Sequence, residues 1–279
     1  MSGFAYRRRK TASAVALSLC AASAFVAVGV LALILGFVLA NGVNYLNLDF
    51  FTHLPKPLGE PGGGVANSIV GSLLIIGIAA LMGIPAGVGA GVFVSEYAGP
   101  RLGNVIRFTA DVLTGVPSIV VGVFVYTVVV LKMGHFSALA GGIALAIIML
   151  PIVARSSEEM LKLVPRSQRE AALALGVTQW RTIVSVIIPA ARRGVVTGGL
   201  LAVARAGGET APLIFTVLGN RFLTLGITGG PMDALPLRIY TYGIGPYQEQ
   251  HQQAWAAAFV LIMMVFVISL TARLVLTRK

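Results

Sequence analysis

Residues Gly194–Asn220 read GVVTGGLLAVARAGGETAPLIFTVLGN, a long apolar run whose only charged side chains are Arg205 and Glu209. A bilayer-spanning helix needs about 20 mostly apolar residues, and this run supplies them. A charge near the centre of such a helix costs roughly 2.5–3.5 kcal/mol even on the mild insertion scale. Two charges at i and i+4 share a helical face and can pair. The stretch therefore predicts a membrane helix carrying an Arg205–Glu209 ion pair that marks a polar pathway. A purely structural pair that fixes helix packing is the competing explanation. Thr210 is a weaker pathway candidate, because a membrane-helix threonine usually bonds its own backbone.

The rest of the chain fits the same solvent. Of its 279 residues, 57% are hydrophobic and only 11% are charged, against about 25% charged in soluble domains. The expected fold class is all-α, a polytopic membrane protein with six transmembrane helices. They are read at about Ala12–Ala40, Val65–Val94, Phe108–Leu131, Phe136–Ala154, Gly194–Leu218 and Trp255–Leu276. The Arg7-Arg8-Arg9-Lys10 start resembles a signal-peptide n-region, but the apolar stretch after it is too long for a cleavable one. It is read as an anchor.

The net charge of +11 could suggest nucleic acid. The basic residues, however, sit at segment ends and in loops, as membrane topology demands. Sixteen of the 21 Lys and Arg fall on the side of the N-terminus, from Arg7 through Arg155–Arg193 to Arg278 and Lys279. Only Lys56, Lys132, Arg221 and Arg238 fall opposite. Both termini are thus expected in the cytoplasm. Asn41–Gly64 and Gly219–Gln253 face outward as Pro- and Gly-rich loops, and Arg155–Arg193 faces inward. The division expected is 1–64, a basic terminus with the first helix and outward loop, and 65–279, a five-helix core with its inward loop at about 155–193.

Gly83, Gly87 and Gly91 recur every four residues and give one smooth face for close helix contact. Pro85 and Pro117 each remove a backbone hydrogen bond and kink their helices. Packing and a hinge role both remain open for these five positions. Cys20, the one cysteine, reads as a small packing residue. His53, His135 and His251 lie near segment ends without metal-ligand spacing, so no metal site is expected. Asp111 reads as a carboxylate favouring a helix N-terminus, and Glu158 and Glu159 as solvated.

The inward loop holds a compact construction. Ser167-Gln168-Arg169-Glu170 fits a capping box, and a short helix then stops at Gly176. Thr178 can cap a second helix ending near Pro189. Such an elbow suits docking in a groove on a partner protein.

The elbow carries a family likeness. Glu170-Ala171-Ala172, Gly176 and Ile188-Pro189 resemble the EAA loop of permease subunits of bacterial ABC importers, with Val186 where that pattern prefers isoleucine. Pro61–Ile69 with Gly71-Ser72, Ser95-Glu96-Tyr97, Thr114–Ile119 and Ala204–Leu213 narrow the resemblance to PstA-type subunits of phosphate importers. The likeness implies a MetI-like permease core in which Glu170, Ala171, Ala172 and Gly176 form the coupling helix. It also implies a PstC-type second permease, two PstB-type ATPase subunits and a PstS-type extracytoplasmic phosphate-binding protein. ATP and Mg would be used by the ATPases, with no cofactor bound by this chain. The chain has no Gly-x-x-x-x-Gly-Lys loop for hydrolysing nucleotide, so a transport subunit rather than an enzyme is expected. The alternatives are the same machine for sulfate, molybdate or phosphonate, or a proton-coupled secondary carrier with Glu209 as relay.

Overall fold

The computed structural model describes residues 3–57, 60 and 62–277. Pro61, Arg278 and Lys279, used above, lie outside the described residues. Eleven helical segments carry the described chain: α1 (Gly3–Gly42), α2 (Leu48–Thr52), α3 (Ala66–Glu96), α4 (Pro100–Gly115), α5 (Ser118–Met133), α6 (Ala138–Lys162), α7 (Arg166–Ala174), α8 (Gln179–Gly207), α9 (Ala211–Thr216), α10 (Leu235–Gly243) and α11 (Gln248–Thr277). An isolated bridge joins Leu218 to Met232. Helices α1, α3, α6, α8 and α11 are long and apolar enough to cross a membrane, and the bent pair α4–α5 makes a sixth crossing if counted as one.

Several expected boundaries move, and the prolines account for two of the changes. The expected span Phe108–Leu131 is bent by 97° between α4 and α5. The residue before a proline is driven out of the helical region. Val116 obeys, with ψ 129, and Pro117 continues extended at ψ 131. The expected span Gly194–Leu218 instead begins at Gln179 and stops at Gly207. The helix expected to end near Pro189 runs straight through it, because a π turn at Ile183–Ile187 immediately precedes the proline. A wider turn there gives the ring room that an α turn denies. Finally, α6 continues past Ala154 to Lys162. Pro85 lies inside the uninterrupted α3.

The centre of the bundle is α3 against α6, the most extensive helix contact in the chain. Ile75, Ile76 and Ala79 of α3 meet Leu145, Met149 and Val153 of α6 in the main buried cluster. The glycine face makes this approach possible. A Cβ on Gly83 would lie 3.2 Å from that of Met149, on Gly87 2.6 Å from that of Val153, and on Gly91 2.7 Å from that of Ser157. Gly87→Val should therefore wedge the two helices apart at a cost of about 1–3 kcal/mol, typical of overpacking. Gly77, whose added Cβ would meet nothing within 4 Å, is the control. Thermal unfolding in detergent should show a lower midpoint for Gly87→Val and none of that loss for Gly77→Ala.

Helix α1 stands largely apart and touches the bundle through α11. Phe37 meets Trp255 edge-on with centroids 5.1 Å apart, and Gly42 lies against the Trp255 backbone. Cys20 is exposed on α1, so it does not pack within this chain.

Candidate functional site

The bend between α4 and α5 opens a cavity of about 250 Å³. Its lining runs through Leu113–Ser118, takes Ile147, Ile148 and Ile152 from α6, and ends on Arg205 and Glu209. The two charged residues singled out in the sequence thus meet at one cavity, by a different geometry from that expected. Helix α8 terminates at Gly207, so Glu209 is not one helical turn along from Arg205. The chain closes there with short i→i+3 bonds, Gly208 N–H to Arg205 O at 3.2 Å and Glu209 N–H to Ala206 O at 3.1 Å. Consecutive glycines weaken the helix at that point. Among the ion pairs of the described residues, none joins Arg205 to Glu209. The expected intrahelical pair is absent.

Arg205 occupies the last turn of α8, where open carbonyls favour a cation. Its side chain is exposed rather than tied down, and Glu209 is half-buried. Thr210 takes the N-cap position of α9 without a side-chain capping bond, and it does not line this cavity. Pro117 sits at the bend itself, beside the Ser118 that begins α5. An anion entering here would find one guanidinium, the hydroxyl residues Thr114 and Ser118 and one opposing carboxylate within otherwise apolar walls. Such surroundings raise the strength of every charged contact.

The second feature is the elbow. Helix α7 starts one residue before the expected cap: Pro165 holds the N-cap position, so Ser167 is already helical and the Ser167–Glu170 box does not form. The other end is as expected. Gly176 adopts φ +78, with Gly176 N–H on Leu173 O at 2.9 Å and Val177 N–H on Ala172 O at 3.2 Å. These are the two bonds of a Schellman stop. Thr178 precedes α8 without a side-chain cap. Glu170 and Ala171 are exposed while Ala172 is buried beneath them. Leu173, Leu175 and Trp180 present an open apolar surface on the same elbow.

Two polar clusters escaped the sequence reading. Glu158, expected to be solvated, is 2% exposed. It accepts from Arg107 Nε at 2.6 Å and pairs with Lys162 and, at 3.5 Å, Arg155. Arg155 also reaches Asp111 at 3.2 Å, near the C-terminal rather than the N-terminal end of α4. Together these pairs fasten α4 to α6. The i, i+4 spacing of Glu158 and Lys162 was the one local hint.

The other cluster gathers Asn67 and Ser68 of α3 around Asp233 and Arg238. Ser68 Oγ donates to Asp233 Oδ2 at 2.5 Å, Asn67 Nδ2 at 3.3 Å, and Arg238 Nε at 2.7 Å. Asn67 and Arg238 both donate to the Asn220 carbonyl, at 2.5 and 3.2 Å, and Arg238 lies over the Tyr242 ring. Burial, the largest influence, pushes the Asp233 carboxyl up from its ordinary range, while Arg238 and Ser68 pull against it. Among the described residues no group of three His, Cys, Asp or Glu could hold a metal ion.

A bundle of spanning helices, one broken at a charged cavity and another leading into a short helical elbow beyond the span, defines a membrane transport permease. Residues 83–278 match the family described as binding-protein-dependent transport system inner membrane component, and the chain belongs to that family. It is a multi-pass inner-membrane protein. Its relatives include the phosphate transport system permease protein PstA of Yersinia pestis, 43% identical over 99% of this chain and 92% of the relative. The PstA protein of Haemophilus influenzae is 40% identical over 97% and 96%, and PstA 1 of Mycobacterium tuberculosis H37Rv is 39% identical over 98% and 91%. The fold is shared with the inward-facing MetNI methionine ABC transporter, at TM-score 0.65 and 18% identity over 77% of this chain and 95% of that one.

Proposed function

We propose that this chain is the PstA-type permease subunit of an ATP-driven importer of inorganic phosphate, forming part of the translocation pathway. The observation carrying the reading is near-40% identity, over almost the whole chain, to permeases named for phosphate transport. The charged cavity at the helix break supports it chemically. Phosphate is an anion at neutral pH, and arginine suits it because a planar fork engages two oxygens and keeps its charge. In this reading Arg205 attracts the anion, and Glu209 opposes it so that release stays possible. The elbow of Glu170, Ala171, Ala172 and Gly176, with Ala172 buried beneath the exposed Glu170 and Ala171, seats in an ATPase subunit, whose hydrolysis of ATP with Mg tilts the helices between two access states.

The complete machine then comprises a second permease, two ATPase subunits and an extracytoplasmic phosphate-binding protein, with both termini of this chain in the cytoplasm. The basic side bias of the sequence supports that orientation. The test is uptake of labelled phosphate by cells lacking this chain. Re-supplying the chain should restore uptake that excess sulfate does not compete away. The restored uptake should vanish without the ATPase subunits and persist when the proton gradient is collapsed. Sulfate competition, or collapse with the gradient, defeats the proposal.

A further inference from the structure

Both limbs of the elbow converge on one residue, Glu96. Glu96 ends α3, and its side chain is 8% exposed. Arg169 of α7 grips it with a fork, Nε to Oε2 at 3.2 Å and Nη2 to Oε1 at 2.9 Å. The same guanidinium donates to the carbonyls of Val164, just past α6, and Leu161, in its last turn, at 2.5 and 2.8 Å. From the second limb, Gln179 at the start of α8 donates its side-chain amide to the Glu96 carbonyl at 3.1 Å. Ser95 adds a hydroxyl bond to Glu96 Oε1 at 2.8 Å. No part of the cavity or of the elbow's outer surface uses this arrangement.

Beyond Glu96 the contacts continue without a gap. Helix α3 lies on α6 along Gly83, Gly87 and Gly91. Helix α6 holds α4 through Glu158–Arg107 and Arg155–Asp111. Helix α4 ends at the bend that lines the cavity beside Arg205. Apart from the fork, α7 rests on the first turns of α8 and on short connections at 163–165 and 175–178, with no ionic link of its own to α3 among the described residues. A bidentate arginine–carboxylate contact fixes orientation as well as distance.

We infer that the Glu96–Arg169 clamp makes the elbow and α3 move as one body, so that force on the elbow reaches the bend at Val116-Pro117. This rests on the proposed seating of the elbow in an ATPase. Glu96 and Arg169 act as positioning residues and touch no cargo.

The test uses the complete transporter with its partner subunits, reconstituted in vesicles, and reads phosphate moved per ATP hydrolysed. Cys20→Ser gives a background free of native thiol in this chain, and Glu96→Cys with Arg169→Cys is built upon it. Under reducing conditions this double variant should assemble and hydrolyse ATP while phosphate moved per ATP falls about tenfold, the size of a typical coupling effect. Joining the two cysteines with a short bifunctional thiol reagent should restore the ratio. Glu96→Gln alone should lower it in the same direction.

A parental ratio in the reduced double variant, or transport blocked by joining the cysteines, overturns the clamp. So does less assembled complex at an unchanged ratio, which is what a folding role alone gives. The Cys20→Ser parent reports on the underlying reading. Phosphate movement without ATP in that parent removes the functional proposal, whereas failure confined to the variants removes only the clamp.

Discussion

Arg205→Gln should depress phosphate uptake by roughly 10- to 100-fold while the complex still assembles, because a charged hydrogen bond contributes about 1.5–3 kcal/mol. Glutamine keeps most of the length and some donors but removes the charge. Arg205 lies exposed at the cavity and joins none of the ion pairs among the described residues. Loss of uptake would therefore not follow from loss of packing. Arg205→Lys should fall between, since it retains charge and loses the planar fork. Glu209→Gln should act differently: with the opposing carboxylate gone, the anion is held longer, so apparent affinity rises as turnover falls. Labelled uptake, normalised to permease in the membrane, measures all three. Normal uptake by Arg205→Gln would remove Arg205 from the pathway.

Asp233→Ala should be the most damaging of the stability changes. It strips the partner from Arg238, which is 7% exposed, and an uncompensated buried charge costs about 3–5 kcal/mol. Asn67 keeps its bond to the Asn220 carbonyl, so the loss centres on the guanidinium. Removing both charges together, as Asp233→Leu with Arg238→Met, should recover most of the stability, because apolar replacement of a buried pair is often nearly neutral. Unfolding midpoints in detergent, with yield of monodisperse protein, provide the comparison. A double variant no better than Asp233→Ala would show that the pair's hydrogen bonds, not its buried charge, hold this region.

What the sequence disclosed follows from what is local. Apolar length located the crossings, Pro117 marked the break, and Gly176 marked the stop of the elbow, since each depends on a few neighbouring residues. The glycine spacing on α3 was equally plain. Arg205 and Glu209 stand out by charge, but their spacing implies a helical pair only if the helix continues, and Gly207-Gly208 ends it between them. Glu158 reads as solvated because Arg107, the partner that ties it to α4, lies 51 positions away. Asp233 and Arg238 fell in a stretch whose prolines suggested a plain loop. Pro236 in fact opens α10, where a proline is welcome in the first turn. The partners Ser68 and Asp233 are 165 positions apart, a separation that leaves no local trace.

The sharp turn between α4 and α5 sets a limit on the surrounding lipid. The 16 residues of α4 reach only about 24 Å as a helix, and Ser118–Met133 is no longer. Neither arm matches a hydrocarbon slab of about 30 Å. A bilayer can accommodate the pair by thinning against one arm or by taking both arms as a single broken crossing. In either arrangement the turn at Leu113–Ser118, with Arg205 beside it, stands where a straight helix would have continued.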